Sequence, residues 1–215
     1  MFYDPLITLK VLQLSRLSWL NIIKKVIEVL YKFKNIFLLG LFLSFNINLM
    51  AIEEPAFKIV SESENYEIRY YQERLIVQTE YESQNGAFRK LFKYISGSNK
   101  SSEKISMTVP VTQVKGERGY LMQFYLPKKF NKSNLPLPAD NSIEVSSIKA
   151  GHYAVLRFSG RPNDKNFNEH SRALKEYLES DDISIVSSPI KATYNSPFMP
   201  PMFRRNESMF HIEWN

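Results

Sequence analysis

The sequence predicts an α+β protein in which tandem β-α-β-β pseudo-repeats form a distorted antiparallel β-barrel with two packed helices. Two observations predict this fold. The same order of strand-like and helix-like segments occurs twice after residue 52, and a proline-rich connector, residues 127–141, separates the two copies. Hydrophobic residues make up 44% of the chain, enough for a packed core. Neither copy has enough residues for a core of its own, so we expect one domain over residues 52–215.

Each copy begins with a stretch of strand formers, continues with a helical stretch and ends with two more strands. Strand formers alternate with charged residues in the first stretch, and apolar residues from Ala87 to Ile95 recur at helical spacing before Gly97. The first copy has expected strands over residues 66–81, 105–114 and 120–126, around a helix that begins at residue 85. The second has strands over residues 143–158, 183–194 and 208–214, around a helix over residues 164–179.

Residues 1–51 are predicted to be a leader outside this domain. Residues 35–52 carry no charge, follow two lysines, contain an apolar run at 36–45 and lead to Ala51, a small residue. This pattern is typical of a secretory signal peptide, so we expect export to the periplasm or cell envelope. An uncleaved membrane anchor over residues 35–51 and a buried helix are the alternatives. Residues 1–30 are either untranslated or an amphipathic helix at a membrane surface.

The positive charge of the chain lies mainly in this leader. The net charge is +6, yet residues 1–51 hold six basic and two acidic residues, whereas the rest hold 22 and 20. A nearly neutral body argues against a nucleic-acid partner. We expect contact with a membrane only through the N-terminal segment.

Motifs for catalysis are missing from the sequence. It contains no G-x-S-x-G, no phosphate-binding or dinucleotide-binding glycine motif, no H-E-x-x-H and no cysteine. The histidines, His152, His170 and His211, do not stand at the spacing of metal ligands. The S-x-x-K match at residues 101–104 lies in a polar loop and is treated as chance. We therefore predict a binding protein with no catalytic residue and no metal ligand.

Residues 194–207 form the most unusual segment of the chain. Three prolines hold it extended, and it carries Arg204 and Arg205 beside four large apolar side chains, Phe198, Met199, Met202 and Phe203. Exposing such residues costs free energy, so the segment covers something. It covers either the protein's own core or a flat apolar ligand whose carboxylates pair with the arginines.

Four segments in order resemble the SOUL haem-binding protein family. They are residues 66–71, residues 92–97 with Asn99-Lys100, residues 104–111 and residues 194–207. The resemblance covers residues 55–214. It implies the tandem barrel fold, binding of haem or a related tetrapyrrole, and no established enzymatic reaction.

The resemblance also implies site residues. Tyr70 stands where some relatives have a histidine proposed as an iron ligand, and it either ligates iron or packs in its strand. Lys93 matches a basic position that holds haem in other members. Met107 either lines the same cleft or belongs to the core. The expected haem-binding set is therefore Tyr70, Lys93, Met107, Phe198, Met199, Met202, Phe203, Arg204 and Arg205.

Three other functions stay open. The first is binding of another apolar or cationic small molecule, because tandem β-α-β-β domains also resemble bacterial effector-binding modules. The second is a hydrolase that uses a carboxylate in the cleft. The third is a structural or interaction protein of the envelope.

Overall fold

The computed structural model describes residues 24–25, 27–32, 52–81, 84–117 and 119–214. The chain divides between residues 51 and 52, and the two sides are described separately. Before the division, residues 24–25 and 27–32 are helical and exposed. The predicted signal or anchor over residues 35–51 lies outside the described residues. In the described part of the chain, no helix combines the length and the apolar character needed to cross a membrane.

The described residues after position 51, called the body below, form nine antiparallel strands and two α-helices. The strands are β1 (Phe57–Glu62), β2 (Glu67–Tyr71), β3 (Arg74–Tyr81), β4 (Val111–Lys115), β5 (Tyr120–Tyr125), β6 (Glu144–Ile148), β7 (Gly151–Phe158), β8 (Ile190–Thr193) and β9 (Asn206–Ile212). The helices are α1 (Gln84–Ile95) and α2 (Asp164–Ser180), and Pro201–Phe203 form one turn of 3₁₀ helix. The strands make one curled sheet, a half-barrel that confirms the predicted α+β fold.

The order of the strands confirms the two copies and shows how they combine. The order is β1-β2-β7-β9-β8-β4-β5-β3-β6. If β1 is left out and β2, β3, β4 and β5 are taken as equivalent to β6, β7, β8 and β9, the order reads the same from both edges of the sheet. A pseudo-twofold axis therefore lies between β4 and β8. The first strand of each copy pairs with the other copy, as β2 with β7 and β6 with β3. Because each copy completes the sheet of the other, the body is one domain.

The observed strands differ from the predicted ones in ways that proline and turns explain. The stretches 66–81 and 143–158 each contain two strands, with turns at Gln72-Glu73 and Lys149-Ala150. The strands predicted from residues 105 and 183 begin only at Val111 and Ile190. A proline directly precedes each of these residues, and proline has no N–H to donate to a neighbouring strand.

Both helices lie on one face of the sheet, which we call the outer face. Gly97 follows α1 with a φ of +110°, the left-handed conformation predicted for a helix end. Asn163 caps α2 by accepting a hydrogen bond from the backbone N–H of Asn166. The clusters under the helices include Val77, Leu91, Tyr94 and Phe124 for α1, and Ile68, Leu156, Leu174, Leu178 and Phe210 for α2.

A third apolar cluster lies on the inner, concave face. Successive residues of a strand point to opposite faces, so Tyr153 and Val155 point inward while Ala154 points to α2. Tyr71, Tyr194 and Met209 complete the buried part of this cluster together with Ala192. Since residues 52–214 contain the whole described sheet and all three clusters, we expect the body to fold without residues 1–51.

Candidate ligand-binding site

A buried carboxylate organises the inner face. Glu207 of β9 is fully buried and accepts two hydrogen bonds from the guanidinium of Arg69, at 3.0 and 3.2 Å. It also accepts one from the Tyr194 hydroxyl at 2.6 Å and one from Arg205 Nε at 2.9 Å. Burial, and then the charge of Glu207, raise the pKa of Tyr194. We call Glu207 with these three partners the carboxylate hub.

Arg205 connects this hub to the start of the body. Its guanidinium makes two hydrogen bonds of 2.9 Å to the carboxylate of Glu54 and stacks 3.7 Å from the centre of the Tyr194 ring. Burial alone would lower the pKa of Arg205, but hydrogen bonding to Glu54 and attraction to Tyr194 and Glu207 raise it. The side chain predicted to bind a ligand carboxylate thus has protein carboxylates as partners.

Residues 194–205 join β8 to β9 and are called the apolar loop. After the buried Tyr194, the large apolar side chains of the loop point into solvent. Phe198, Met199, Met202 and Phe203 are 93%, 39%, 66% and 73% exposed. The loop therefore does not use them to cover the protein's own core. Large exposed side chains that cluster on one loop indicate a surface that contacts another molecule.

Hydrogen bonds hold the apolar loop in a defined conformation. Arg204 donates to the carbonyl oxygens of Met199, at 2.7 Å, and Pro197, at 2.6 Å. The Gly160 N–H donates to Pro201 O at 2.9 Å, which ties the loop to the β7–α2 connection. Arg204 therefore closes the loop on itself, a role that differs from the predicted pairing with a ligand.

A second exposed apolar surface lies on α1. The rings of Phe88 and Phe92 are 45% and 49% exposed, stack with centroids 5.9 Å apart, and continue to buried Phe124 at 5.2 Å. Lys90, on the opposite flank of the helix, reaches Ser142 at 3.2 Å beside the edge strand β6. The two phenylalanines, called the α1 aromatic pair, therefore face the centre of the sheet.

From the sequence, the α1 aromatic pair can be placed only within the apolar stripe of the helix. The stripe contains five apolar residues, and Ala87, Leu91 and Ile95 are buried while the pair is not. The width of the stripe was the available signal, because a helix on a sheet buries a narrower face. Exposed Lys93 follows Phe92 directly, and exposed Arg89 lies one helical turn before Lys93.

Two of the predicted groups lie at the same end of the sheet. The apolar loop follows Thr193, whose partner is Val111, the first residue of β4. The C-terminal end of α1 reaches the same region, since Ile105 N donates to Ile95 O at 2.8 Å shortly before β4. Lys93 stands in that last turn of α1. The partly buried Met107 packs against the α1 cluster nearby.

Tyr70 lies at the other end of the sheet. It pairs with His152, and the two rings are 5.0 Å apart. Phe158, at the far end of the same strand, pairs with Asn206 next to the apolar loop. The six residue steps between His152 and Phe158 span about 20 Å. The structure therefore does not bring Tyr70 together with the loop.

Comparison with known proteins agrees with this fold. The profile described as SOUL heme-binding protein matches residues 52–211, which is most of the chain. The chain belongs to the SOUL heme-binding protein family. Heme-binding protein 1 of Xenopus laevis is 28% identical over 183 residues, covering 77% of this chain and 95% of that protein. Heme-binding protein 1 of Sus scrofa is 30% identical over 129 residues, covering 56% and 67%. Both relatives are named for binding rather than for a reaction.

Solved structures share the fold of this SOUL family member at low sequence identity. The crystal structure of the EcmrR C-terminal domain aligns with a TM-score of 0.52 and 13% identity, over 70% of this chain and 99% of that one. A hydrolase from Listeria innocua aligns with a TM-score of 0.51 and 5% identity, over 72% and 94%. These similarities concern the fold alone.

Proposed function

We propose that the body binds haem or a related tetrapyrrole at its outer surface, between the apolar loop and the C-terminal end of α1. The observation that carries this proposal is the exposure of Phe198, Met202 and Phe203 on a loop that hydrogen bonds hold in place. A protein keeps such a surface when a ligand covers it. Family membership and the names of the relatives support a tetrapyrrole as that ligand.

The residues at this end of the sheet fit the chemistry of haem. Its macrocycle is flat and apolar, and it matches aromatic rings and methionine side chains. Its two carboxylates need cations at the rim, and Arg89 and Lys93 are exposed cations on α1. Bound haem would bring the redox and ligand chemistry of its iron. Tyr70 is left out of the proposed site because it lies at the other end of the sheet.

The inner face fits the alternatives less well. A cationic ligand there would need an available carboxylate, but Glu207 is already paired with Arg69 and Arg205. The same pairing leaves Glu207 unsuited to act as the base of a hydrolase. An outer-surface tetrapyrrole site needs no rearrangement of these buried ion pairs.

Haemin titration of residues 52–215 tests the proposal. We expect a shift of the Soret band, and at least tenfold weaker binding after Phe198→Ser with Phe203→Ser. The matched control is Tyr120→Ser with Leu137→Ser, which removes side chains 53% and 57% exposed elsewhere on the body. Equal loss in both double variants, or no spectral change with the unaltered body, would exclude the site. Metal-free protoporphyrin in parallel shows whether the iron contributes.

We also propose that residues 35–51 direct the protein to the periplasm or cell envelope. The support is the uncharged segment that follows two lysines and leads to Ala51. N-terminal sequencing of the mature protein tests this. A start near residue 52 indicates a cleaved signal, whereas an intact N-terminus in the membrane fraction indicates an anchor. An intact protein in the cytosolic fraction would contradict export.

A further inference from the structure

We propose that a second ligand site, distinct from the tetrapyrrole surface, lies at the start of β3, between the inner face and the α1 cluster, and binds a small monocarboxylate with an apolar body. Its carboxylate would bind to Arg74, the first residue of β3. This site uses none of the residues assigned to haem.

Arg74 is a half-buried residue whose guanidinium has an unusual environment. Its guanidinium lies 4.3 Å from the ring centre of Tyr71, 4.9 Å from that of Tyr153 and 5.6 Å from that of Tyr125. The Nε and Nη2 atoms are buried, and no described residue accepts a hydrogen bond from either. The three rings stabilise the positive charge, but they leave two strong donors without acceptors.

Two other arginines on the same face show what Arg74 lacks. Arg69 has carboxylate partners in Glu67 and Glu207, and Arg205 has Glu54 and Glu207. Among the described residues, Arg74 makes no ion pair. Burying guanidinium N–H donors without an acceptor costs free energy, which an incoming anion would recover.

A pocket with a volume of ≈ 340 Å³ opens beside Arg74. This is the size of a small-molecule site. Its two acidic wall residues are already engaged, because Glu53 accepts from the Lys128 N–H at 2.7 Å and Glu73 pairs with Lys132 at 3.7 Å. The rest of its wall is mainly apolar and includes Pro55, Ala56, Leu75, Leu126, Pro127 and Phe130.

The two free donors indicate the chemical class of the ligand. Nε and Nη2 form one edge of the guanidinium, and two parallel hydrogen bonds from such an edge match the two oxygens of a carboxylate. A smaller void of ≈ 10 Å³ shares Arg74, Pro55 and Tyr125 with the larger pocket. A carboxylate is larger than this void, so its binding would require Pro55, which lines both cavities, to move. Glu54 also lines the void, and Arg205 already pairs with its carboxylate. The hydrocarbon of the ligand would remain against the apolar wall. Phosphate offers charge but no apolar body.

Calorimetric titration of residues 52–215 with octanoate, and separately with inorganic phosphate, tests the proposal. We expect octanoate to bind, to lose at least tenfold in affinity in Arg74→Gln, and to keep its affinity in Arg157→Gln. Arg157 is the matched control because it is an exposed arginine on β7. Absence of octanoate binding, or an equal affinity in Arg74→Gln, overturns the proposal. Binding of phosphate but not of octanoate at Arg74 overturns the carboxylate class.

Thermal unfolding separates a ligand site from a structural role of Arg74. If the unpaired cation exists for a ligand, Arg74→Met should raise the unfolding midpoint without ligand, because it removes two unsatisfied donors and keeps the volume. Octanoate should raise the midpoint of the unaltered body but not that of Arg74→Met. A lower midpoint in Arg74→Met would show that the guanidinium holds the three tyrosines together, and would overturn the proposal.

Discussion

The two copies of the fold differ most at equivalent connections. In the first copy, β4 and β5 are joined by residues 116–119, a turn in which the Gly116 N–H donates to Gly119 O at 2.9 Å. In the second copy, β8 and β9 are joined by residues 194–205, the apolar loop. The first copy shows that this fold needs only four residues here. The longer connection is therefore an addition, and its exposed side chains indicate binding rather than folding.

The same comparison distinguishes the inner surfaces of the two copies. The pairing Tyr81↔Tyr120 corresponds to Phe158↔Asn206, so Arg74 corresponds to Gly151. A Cβ at Gly151 would lie 2.5 Å from His211 Nε2, and glycine makes room for that ring. The long cation thus belongs to one copy only. The pseudo-symmetry of the backbone therefore does not extend to the inner side chains.

The largest effect is expected at the root of the apolar loop. Glu207 corresponds to Leu121 of the first copy. Glu207→Leu would make the copies alike but would leave Arg69 and Arg205 without a central partner. We expect the free energy of unfolding of residues 52–215, measured with urea, to fall by about 3–5 kcal/mol.

The control for this change is Glu176→Leu, on the exposed side of α2. It removes one carboxylate with no buried partner and should alter the unfolding free energy by less than about 0.5 kcal/mol. If Glu207→Leu costs no more than this control, the carboxylate hub does not stabilise the second copy.

Local sequence patterns predicted the helices and most of the strands, but they did not predict how the strands pair. Amphipathic spacing located both helices within a few residues, and Gly97 marked the end of α1, because these signals act over one or two turns. The exchange of β2 and β6 between the copies depends on contacts between distant segments, such as Tyr71 with Gly151. The edge strand β1 is mostly exposed and has no strong apolar alternation, so it was missed.

For the site, composition singled out the apolar loop, but the protein groups that its arginines contact could not be read from the sequence. Arg205 is held by Glu54, which lies 151 positions away in the sequence. Arg204 donates to backbone carbonyl oxygens. Every residue has such an oxygen, so no sequence pattern predicts these hydrogen bonds. Residue type alone could place positive charge on the apolar loop but could not show that protein carboxylates and carbonyl oxygens already bind it.

Replacing the apolar loop with the shorter connection sharpens the comparison. We expect a body in which Gly-Glu-Arg-Gly replaces residues 196–203 to fold, with an unfolding free energy changed by about 1 kcal/mol or less. Its affinity for haemin should fall at least tenfold, because the exposed apolar side chains are gone. Urea unfolding and haemin titration measure the two effects. A loss of several kcal/mol would instead make the loop part of the fold.

Arg204→Ala separates the two roles considered for that residue. If Arg204 only closes the loop, the variant should bind haemin and haemin dimethyl ester equally weakly, about fivefold below the unaltered body. This factor corresponds to roughly 1 kcal/mol of binding free energy, the expected cost of the lost hydrogen bonds in the loop. If Arg204 pairs with a ligand carboxylate, only haemin should lose affinity. Arg172→Ala, on the exposed side of α2, should change neither. Absorbance titrations with both ligands measure the difference.

The smallest expected effect lies at His211, which corresponds to Tyr125 of the first copy. Burial, then the charges of Arg74 and His152, lower the pKa of His211 below its ordinary value of 6.5. The folded body therefore takes up this proton less readily than the unfolded chain. The contribution of neutral His211 to the free energy of unfolding is complete above pH 6.5 and is lost as the pH falls below it.

Between pH 7.5 and 5.5, the free energy of unfolding of the unaltered body should therefore fall by a few tenths of a kcal/mol more than that of His211→Gln. The difference is small because solvent screens the partly exposed ring. Urea unfolding of both proteins at the two pH values isolates this difference, since their carboxylates are shared. An equal or smaller loss in the unaltered body would mean that His211 is accommodated as well in its charged form, and that the asymmetry of the two copies at this position has no electrostatic consequence.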